Sequence, residues 1–373
     1  MTVNETRLVE EFLELVQIDS APKDERRMAD ALLAKLKSLG LKAEEDDAGS
    51  KIGGNAGNVC AFLDGDPSLP PLLFSAHMDR VSPGYGIKPR VENGIIRSDG
   101  TTILAADDVA GVCAILEGIR TVKEQNIPHG RIEVVFTVAE EGGLFGAKNL
   151  DTSRLQAEAG FFLDSSGPVG TIIVQAPAQK SIRVKIHGRS AHAGVAPEEG
   201  INAIVVAAHA ISSMRLGRID PETTANIGVI RGGTATNIVP DLVELHGEAR
   251  SRNEASLVAQ TNHMVEAINA ACEKHGARAD IEVIDSYSAY HMKPDDYVVQ
   301  LAGEAARHIG LEPVQQGTGG GSDANIINGR GIPSVVLGMG YENIHSTAES
   351  IPVDQLTKAA QLVAAIITLN KRV

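Results

Sequence analysis

The chain reads as an α/β protein in which both ends of the sequence contribute to one α/β domain and a smaller α+β domain is inserted between them. Three observations predict this. Over residues 1–177, and again over 290–373, short apolar runs that stop at sharp polar residues alternate with amphipathic helical patterns. Over 178–289 the order is strand-helix-strand-strand-helix-strand, the ferredoxin-like order, entered through a break at Ala176-Pro177-Ala178. At 373 residues, 43% of them hydrophobic, the chain is also long for a single core and has ample apolar material for two.

Taken in order, Leu8, Val9, Phe12, Leu13 and Val16 recur at helical spacing behind Asn4, a residue suited to cap a helix. A second helix spans 24–39, with Met28, Leu32, Leu36 and Leu39 as its buried stripe and Gly40 at its C-terminal cap. Strands are expected over 58–63 and 72–76, then a hairpin at Asn93-Gly94, a type I′ turn signal. Asp107-Asp108 opens a helix with apolar positions at Val109, Val112, Cys113, Leu116 and Ile119. Apolar strands over 132–138 and 161–163 stop at Glu140-Glu141 and at Asp164.

In the inserted domain, Ile182, Val184 and Ile186 alternate as one face of a half-buried strand. A helix over 201–214, two strands flanking Gly232-Gly233, a helix over 257–274 and a strand over 279–284 follow. The last segment supplies a helix over 296–309, a strand over 334–337 and a helix over 353–370.

The formal net charge of −14 argues against a nucleic-acid partner, since phosphate binding needs a basic surface. Cys60, Cys113 and Cys272 are odd in number, far apart and set among apolar residues, which predicts reduced core thiols. With neither a signal-like N-terminus nor a run long enough to span a bilayer, the expectation is a cytoplasmic protein with no membrane partner.

Five polar sites stand out: His77 with Asp79, Asp107, Glu140 with Glu141, Asp164, and His345. His77 and Asp79 end an apolar strand two positions apart, so an extended chain puts both on one face, where the carboxylate can hold the ring through its second nitrogen. Four of the five sites follow a strand or a short loop after one, and in an open α/β sheet such positions converge on the crevice at the strands' carboxyl edge. Imidazole and carboxylate donors without thiolates suit a catalytic divalent ion, zinc or less tightly manganese or cobalt, and there are donors enough for two. Taken alone, Glu140-Glu141 would read as a solvated acidic turn, His77 as a strand-end histidine, and a Gly-rich loop as a turn.

Together these motifs carry a resemblance over nearly the whole length. Ser75-Ala76-His77-Met78-Asp79, Ala106-Asp107-Asp108-Val109-Ala110-Gly111 and Glu140-Glu141-Gly142 resemble the signature segments of the co-catalytic zinc metallopeptidase family that includes peptidase T, aminoacylase-1 and carboxypeptidase G2, with the peptidase T-like branch nearest. The resemblance implies an open, mixed-sheet zinc-exopeptidase-like catalytic domain with a ferredoxin-like lid and dimerisation domain. It assigns one zinc to His77, Asp107 and Asp164, a second to Asp107, Glu141 and His345, and a cis peptide bond to Asp107-Asp108. Glu140 would be the general base, with Asp79 steadying His77.

In the lid, Ser190-Ala191-His192-Ala193-Gly194 resembles the motif whose histidine stabilises the oxyanion in the partner subunit, which implies a homodimer through this domain. Asn237, Arg250 and the loop containing Gly320 and Gly321 match positions that hold substrate carbonyl and carboxylate groups. Val109 departs from the family, many of whose members have a basic residue there, Lys in peptidase T. The expected activity is hydrolysis of the amide bond of short peptides. The rivals are an N-acyl amino acid amidohydrolase or carboxypeptidase with the same catalytic residues, and a non-catalytic dimeric peptide-binding protein.

Overall fold

A computed structural model describes residues 2–371. The chain divides into two compact units: Met1–Val174 with His291–Gly317 and Ser322–Val373, and Gln175–Tyr290 with Thr318–Gly321. The short segment Thr318–Gly321 groups with the second unit, where Thr318 N–H donates to Gln175 O at 2.9 Å. The sequence reading had set it in the third segment, because hydrogen bonding across so long a stretch of chain leaves no local pattern.

In the first unit, among the described residues, a nine-stranded sheet is centred on four parallel strands in the order Ile132–Thr137, Leu72–His77, Ala159–Ser165, Ser334–Gly338. Val59–Leu63 adds antiparallel on one side and Thr171–Ala176 on the other. The parallel strands read as predominantly apolar runs because both of their faces are covered. Leu72–His77 and Ile132–Thr137 are buried at every position. The helices Glu5–Leu15, Ala106–Glu124, Tyr297–His308 and Val353–Leu369 pack together against this core.

The expected local signals are present. Asn4 Oδ1 accepts the Arg7 N–H, and Asn93-Gly94 turns between Arg90–Glu92 and Ile95–Arg97 with positive φ at both residues. The three cysteines are free and buried. The sequence reading missed the strands Lys42–Glu45 and Thr171–Ala176 and the helix Asp323–Gly329: the first and last are short and rich in polar residues, and the apolar run of Thr171–Ala176 does not alternate.

The second unit is a five-stranded antiparallel sheet in the order Gly217–Asp220, Thr223–Gly232, Leu242–Ser251, Ala178–His187, Arg278–Tyr287. Without Gly217–Asp220, a short bulged strand that the alternation did not reveal, this is the ferredoxin-like order. Ile182, Val184 and Ile186 point into a core shared with the helices Ala203–Ser213 and Glu254–His275, while Arg183 and Lys185 face solvent.

Candidate metal centre

Because the four central strands are parallel, their carboxyl ends share one edge, and the chain's sharp polar residues leave from it. His77 is the last residue of its strand, Asp164 the penultimate residue of its own, and Glu140-Glu141 follow Ile132–Thr137. Asp107 lies at the start of the helix Ala106–Glu124, where Asp107 and Asp108 have non-helical φ/ψ and are joined by a cis peptide bond. His345 occupies the loop after Ser334–Gly338 with φ +60°.

The five metal-ligand candidates meet. His77 Nε2 is 3.1 Å from Asp107 Oδ1 and 4.0 Å from Asp164 Oδ1. His345 Nε2 is 2.8 Å from Glu141 Oε1 and 3.4 Å from Asp107 Oδ2. Each oxygen of Asp107 thus faces a different imidazole. Donors held about 2.0–2.1 Å from one tetrahedral ion lie about 3.3 Å apart, so these separations suit shared cations as well as direct ion pairs.

The protonation of the cluster tells the same story. Burial alone would push the His77 ring down, but its bonds to Asp107 and Asp79 carry it well above the usual imidazole range. Bonds to Asp107 and Glu141 push His345 up to about 10. Burial would raise Asp107, yet His345 and His77 hold it below the ordinary carboxylate range. Burial pushes Glu140 and Asp164 well above that range, with Asp164 adding to the shift of Glu140 and Asp107 to that of Asp164. Buried carboxylates crowded this way hold protons where no cation neutralises them, and the donor set of nitrogen and oxygen fits a divalent ion in the protons' place.

Two sets of donor atoms, each within 4.8 Å of one another, are His77 with Asp107 and Glu141, and His77 with Asp108 and Asp164. Asp108 enters where the resemblance named Asp107. Its Oδ2 accepts the His77 backbone N–H at 3.1 Å and its Oδ1 that of Gly111 at 3.2 Å, so its geometry is that of a brace beneath His77.

Asp79 differs from the expectation in detail. The strand ends at His77, so Asp79 is out of the extended register. The ring Nδ1–H donates to the Asp79 carbonyl at 3.0 Å, with the carboxylate at 3.5 Å. That carboxylate also accepts the backbone N–H groups of Glu140 at 2.9 Å and Glu141 at 3.1 Å. Two further buried carboxylates escaped the sequence reading. Glu25 Oε1 accepts the Ala139 N–H at 3.0 Å, and Glu349 grips the turn before Asp107. No local sequence signal marks either, since the partners that tie them to the site, Ala139 for Glu25 and the Asp107 turn for Glu349, lie far away in the chain. Asp323 Oδ2 accepts from Thr137 Oγ1 at 2.6 Å, and burial pushes its carboxyl up to about 6. Val109, the departure from the family pattern, is buried in the core.

In the second unit, Ala193 N–H donates to Asn237 O and Val239 N–H to Ala191 O, which zips the His192 and Asn237 segments side by side, both exposed. Arg250 makes a two-pronged ion pair with Glu248, at 2.9 and 3.1 Å. Gly320 N–H donates to Thr318 Oγ1 at 3.1 Å. At Gly321 a Cβ would come within 2.2 Å of the Tyr287 ring, so close packing by itself requires glycine there.

A profile of Peptidase family M20/M25/M40 matches residues 73–369. The chain belongs to this family. It is 50% identical to aminopeptidase PepT from Bacillus cereus ATCC 10987, whose crystal structure superposes with a TM-score of 0.89 over 98% of both chains. A tripeptidase from Staphylococcus aureus subsp. aureus Mu50 is 45% identical, with a TM-score of 0.94 over 99% of both. The uncharacterised protein YqjE of Bacillus subtilis (strain 168) is 50% identical over 365 residues, 98% of each chain. This M20 member is therefore a peptidase T-like hydrolase with the mixed α/β fold of its family.

Proposed function

We propose that this M20 peptidase is a tripeptidase or aminopeptidase-like exopeptidase that hydrolyses amide bonds in short peptides, with two zinc ions per subunit or manganese or cobalt in their place. The observation that carries the reading is the Asp107 carboxylate, with Oδ1 3.1 Å from the His77 ring and Oδ2 3.4 Å from that of His345. Ions held on either side of Asp107, by His77 and Asp164 and by His345 and Glu141, would polarise the scissile carbonyl and acidify the attacking water.

The chain's own residues account for the proton. Glu140 is adjacent in sequence to the ligand Glu141, and burial raises its proton affinity. It takes the water's proton and delivers it to the leaving amine. Asp79 fixes the backbone of both glutamates, which keeps base and ligand at a constant spacing. His192 serves the oxyanion of the partner subunit, Asn237 a substrate carbonyl, and Gly320 and Gly321 a substrate carboxylate. Arg250 serves that carboxylate by sharing its guanidinium with Glu248. A homodimer through the second unit is supported by Ile204 and Val205, 41% and 42% exposed on one helix, and by Ile230, 54% exposed on the strand Thr223–Gly232.

Steady-state assays on tripeptides, dipeptides and N-acyl amino acids, each with added zinc, manganese or cobalt, test the reading. Turnover of tripeptides supports it. Preference for N-acyl amino acids would assign an amidohydrolase instead, and no turnover with any metal would overturn the proposal.

A further inference from the structure

Glu349 is 1% exposed and lies four residues beyond His345. Its carboxylate crosses to the other ligand-bearing turn. Oε2 accepts the N–H groups of Leu104 at 2.8 Å and Ala105 at 2.9 Å, and Oε1 accepts that of Asp107 at 3.0 Å. These amides need such a partner. Ala105 has φ +60° and Asp107 is non-helical, so the turn cannot satisfy its N–H groups as a helix interior would. The carboxylate also sits at the positive end of the helix Ala106–Glu124.

The loop that supplies the carboxylate is itself closed. Glu342 and Ser350 exchange backbone hydrogen bonds at 2.8 and 3.1 Å, and Glu349 N–H donates to Ser346 O. Glu349 therefore joins a closed loop bearing His345 to the turn bearing Asp107.

We propose that Glu349 is a positioning residue for the metal centre, holding the Asp107 turn against the His345 loop so that the two ligand segments form one preset unit. The inference rests on the two-ion reading of the site. Outer partners that orient metal ligands commonly contribute about 10–100-fold to metal affinity. Glutamine at this position keeps the size but offers one acceptor oxygen and one donor nitrogen, so either Asp107 or the Leu104 and Ala105 pair faces a donor.

The test compares the metal-stripped full chain with its Glu349→Gln variant at a temperature where both are folded. Manganese titration is expected to show affinity reduced about 10–100-fold in the variant. Unchanged affinity together with a lowered melting temperature would mean that Glu349 only stabilises the fold, and would overturn the proposal.

Hydrogen exchange in the same metal-free proteins does not depend on the two-ion reading. The amides of Leu104, Ala105 and Asp107 should be protected in the wild type and lose protection in the variant, along with 345–349, while Val184 and Ile186 stay unchanged. If the variant does not fold, the wild type decides: 104–107 and 345–349 should exchange through one common opening, and independent openings would overturn the proposal. Wild-type protein that binds no manganese but shows the common opening would refute the metal reading and leave the coupling of the two segments standing.

Discussion

At the residue scale, the site is a set of buried and half-buried carboxylates doing two different jobs. Asp107, Glu141 and Asp164 turn oxygens toward imidazoles, whereas Asp79, Asp108, Glu25 and Glu349 accept backbone N–H groups of the segments that carry those groups. Glu140→Gln should lower kcat by about 10²–10⁴-fold, the usual contribution of a general base, with both metal ions retained. Elemental analysis checks this, and metal loss in the variant would show that base and ligand had been exchanged in the assignment.

Glu25 makes a pH prediction. Burial chiefly, and the charge of Asp79 in addition, push its carboxyl up to about 7 from an ordinary 4.5. A raised folded-state value means that the native state holds the proton more tightly than the unfolded chain. The stabilisation is full below pH 4.5 and is lost as pH rises through about 7. In metal-free protein, Glu25→Gln, which imitates the protonated group, should gain about 1–3 kcal/mol relative to wild type between pH 5 and pH 8. Urea denaturation at the two pH values measures the difference. Equal changes in both proteins would remove Glu25 as its source.

At the scale of elements, the packing of two long helices matters. The helix Ala106–Glu124 is buried over most of its length, packed against Val353–Leu369, and Gly118 lies in their contact beside Val363 and Ala360. A Cβ at Gly118 would sit 2.6 Å from Val363 Cγ1. Alanine would gain about 1 kcal/mol in helix propensity, but overpacking a rigid contact costs about 1–3 kcal/mol, so Gly118→Ala should lower the melting temperature. A rise would show that the helices can part freely.

The helices and strands that were readable from the sequence are the ones with a complete period, such as Met28 to Leu36 or Ile182 to Ile186. Lys42–Glu45, Gly217–Asp220 and Asp323–Gly329 were not, since their positions follow from hydrogen bonding to neighbours already in place.

At the scale of the whole molecule, the apolar surface of the helix Ala203–Ser213 makes the proposed dimer testable. Ile204→Glu places a charge on that surface at a position already 41% exposed, so it should leave the monomer folded and shift sedimentation equilibrium toward monomer. Mixing His192→Ala with Glu140→Ala subunits should restore partial activity, because a hybrid dimer has one site with both groups intact. Mixtures as inactive as either parent would rule out the role in trans.

The sequence by itself determined the α/β class, the inserted ferredoxin-like order and the identity of the polar residues that end the apolar strands. Those features are encoded locally, in periodicity and in where apolar runs stop. Only the tertiary structure decided that each oxygen of Asp107 faces a different histidine, that Arg250 pairs with Glu248, and that the Asp79 carboxylate serves the Glu140-Glu141 backbone as well as the His77 ring. The contacts around Asp107 and Asp79 join segments as far apart in the chain as His77 and His345, and a hydrogen bond is made or lost over a few tenths of an ångström that no spacing of letters along the chain records.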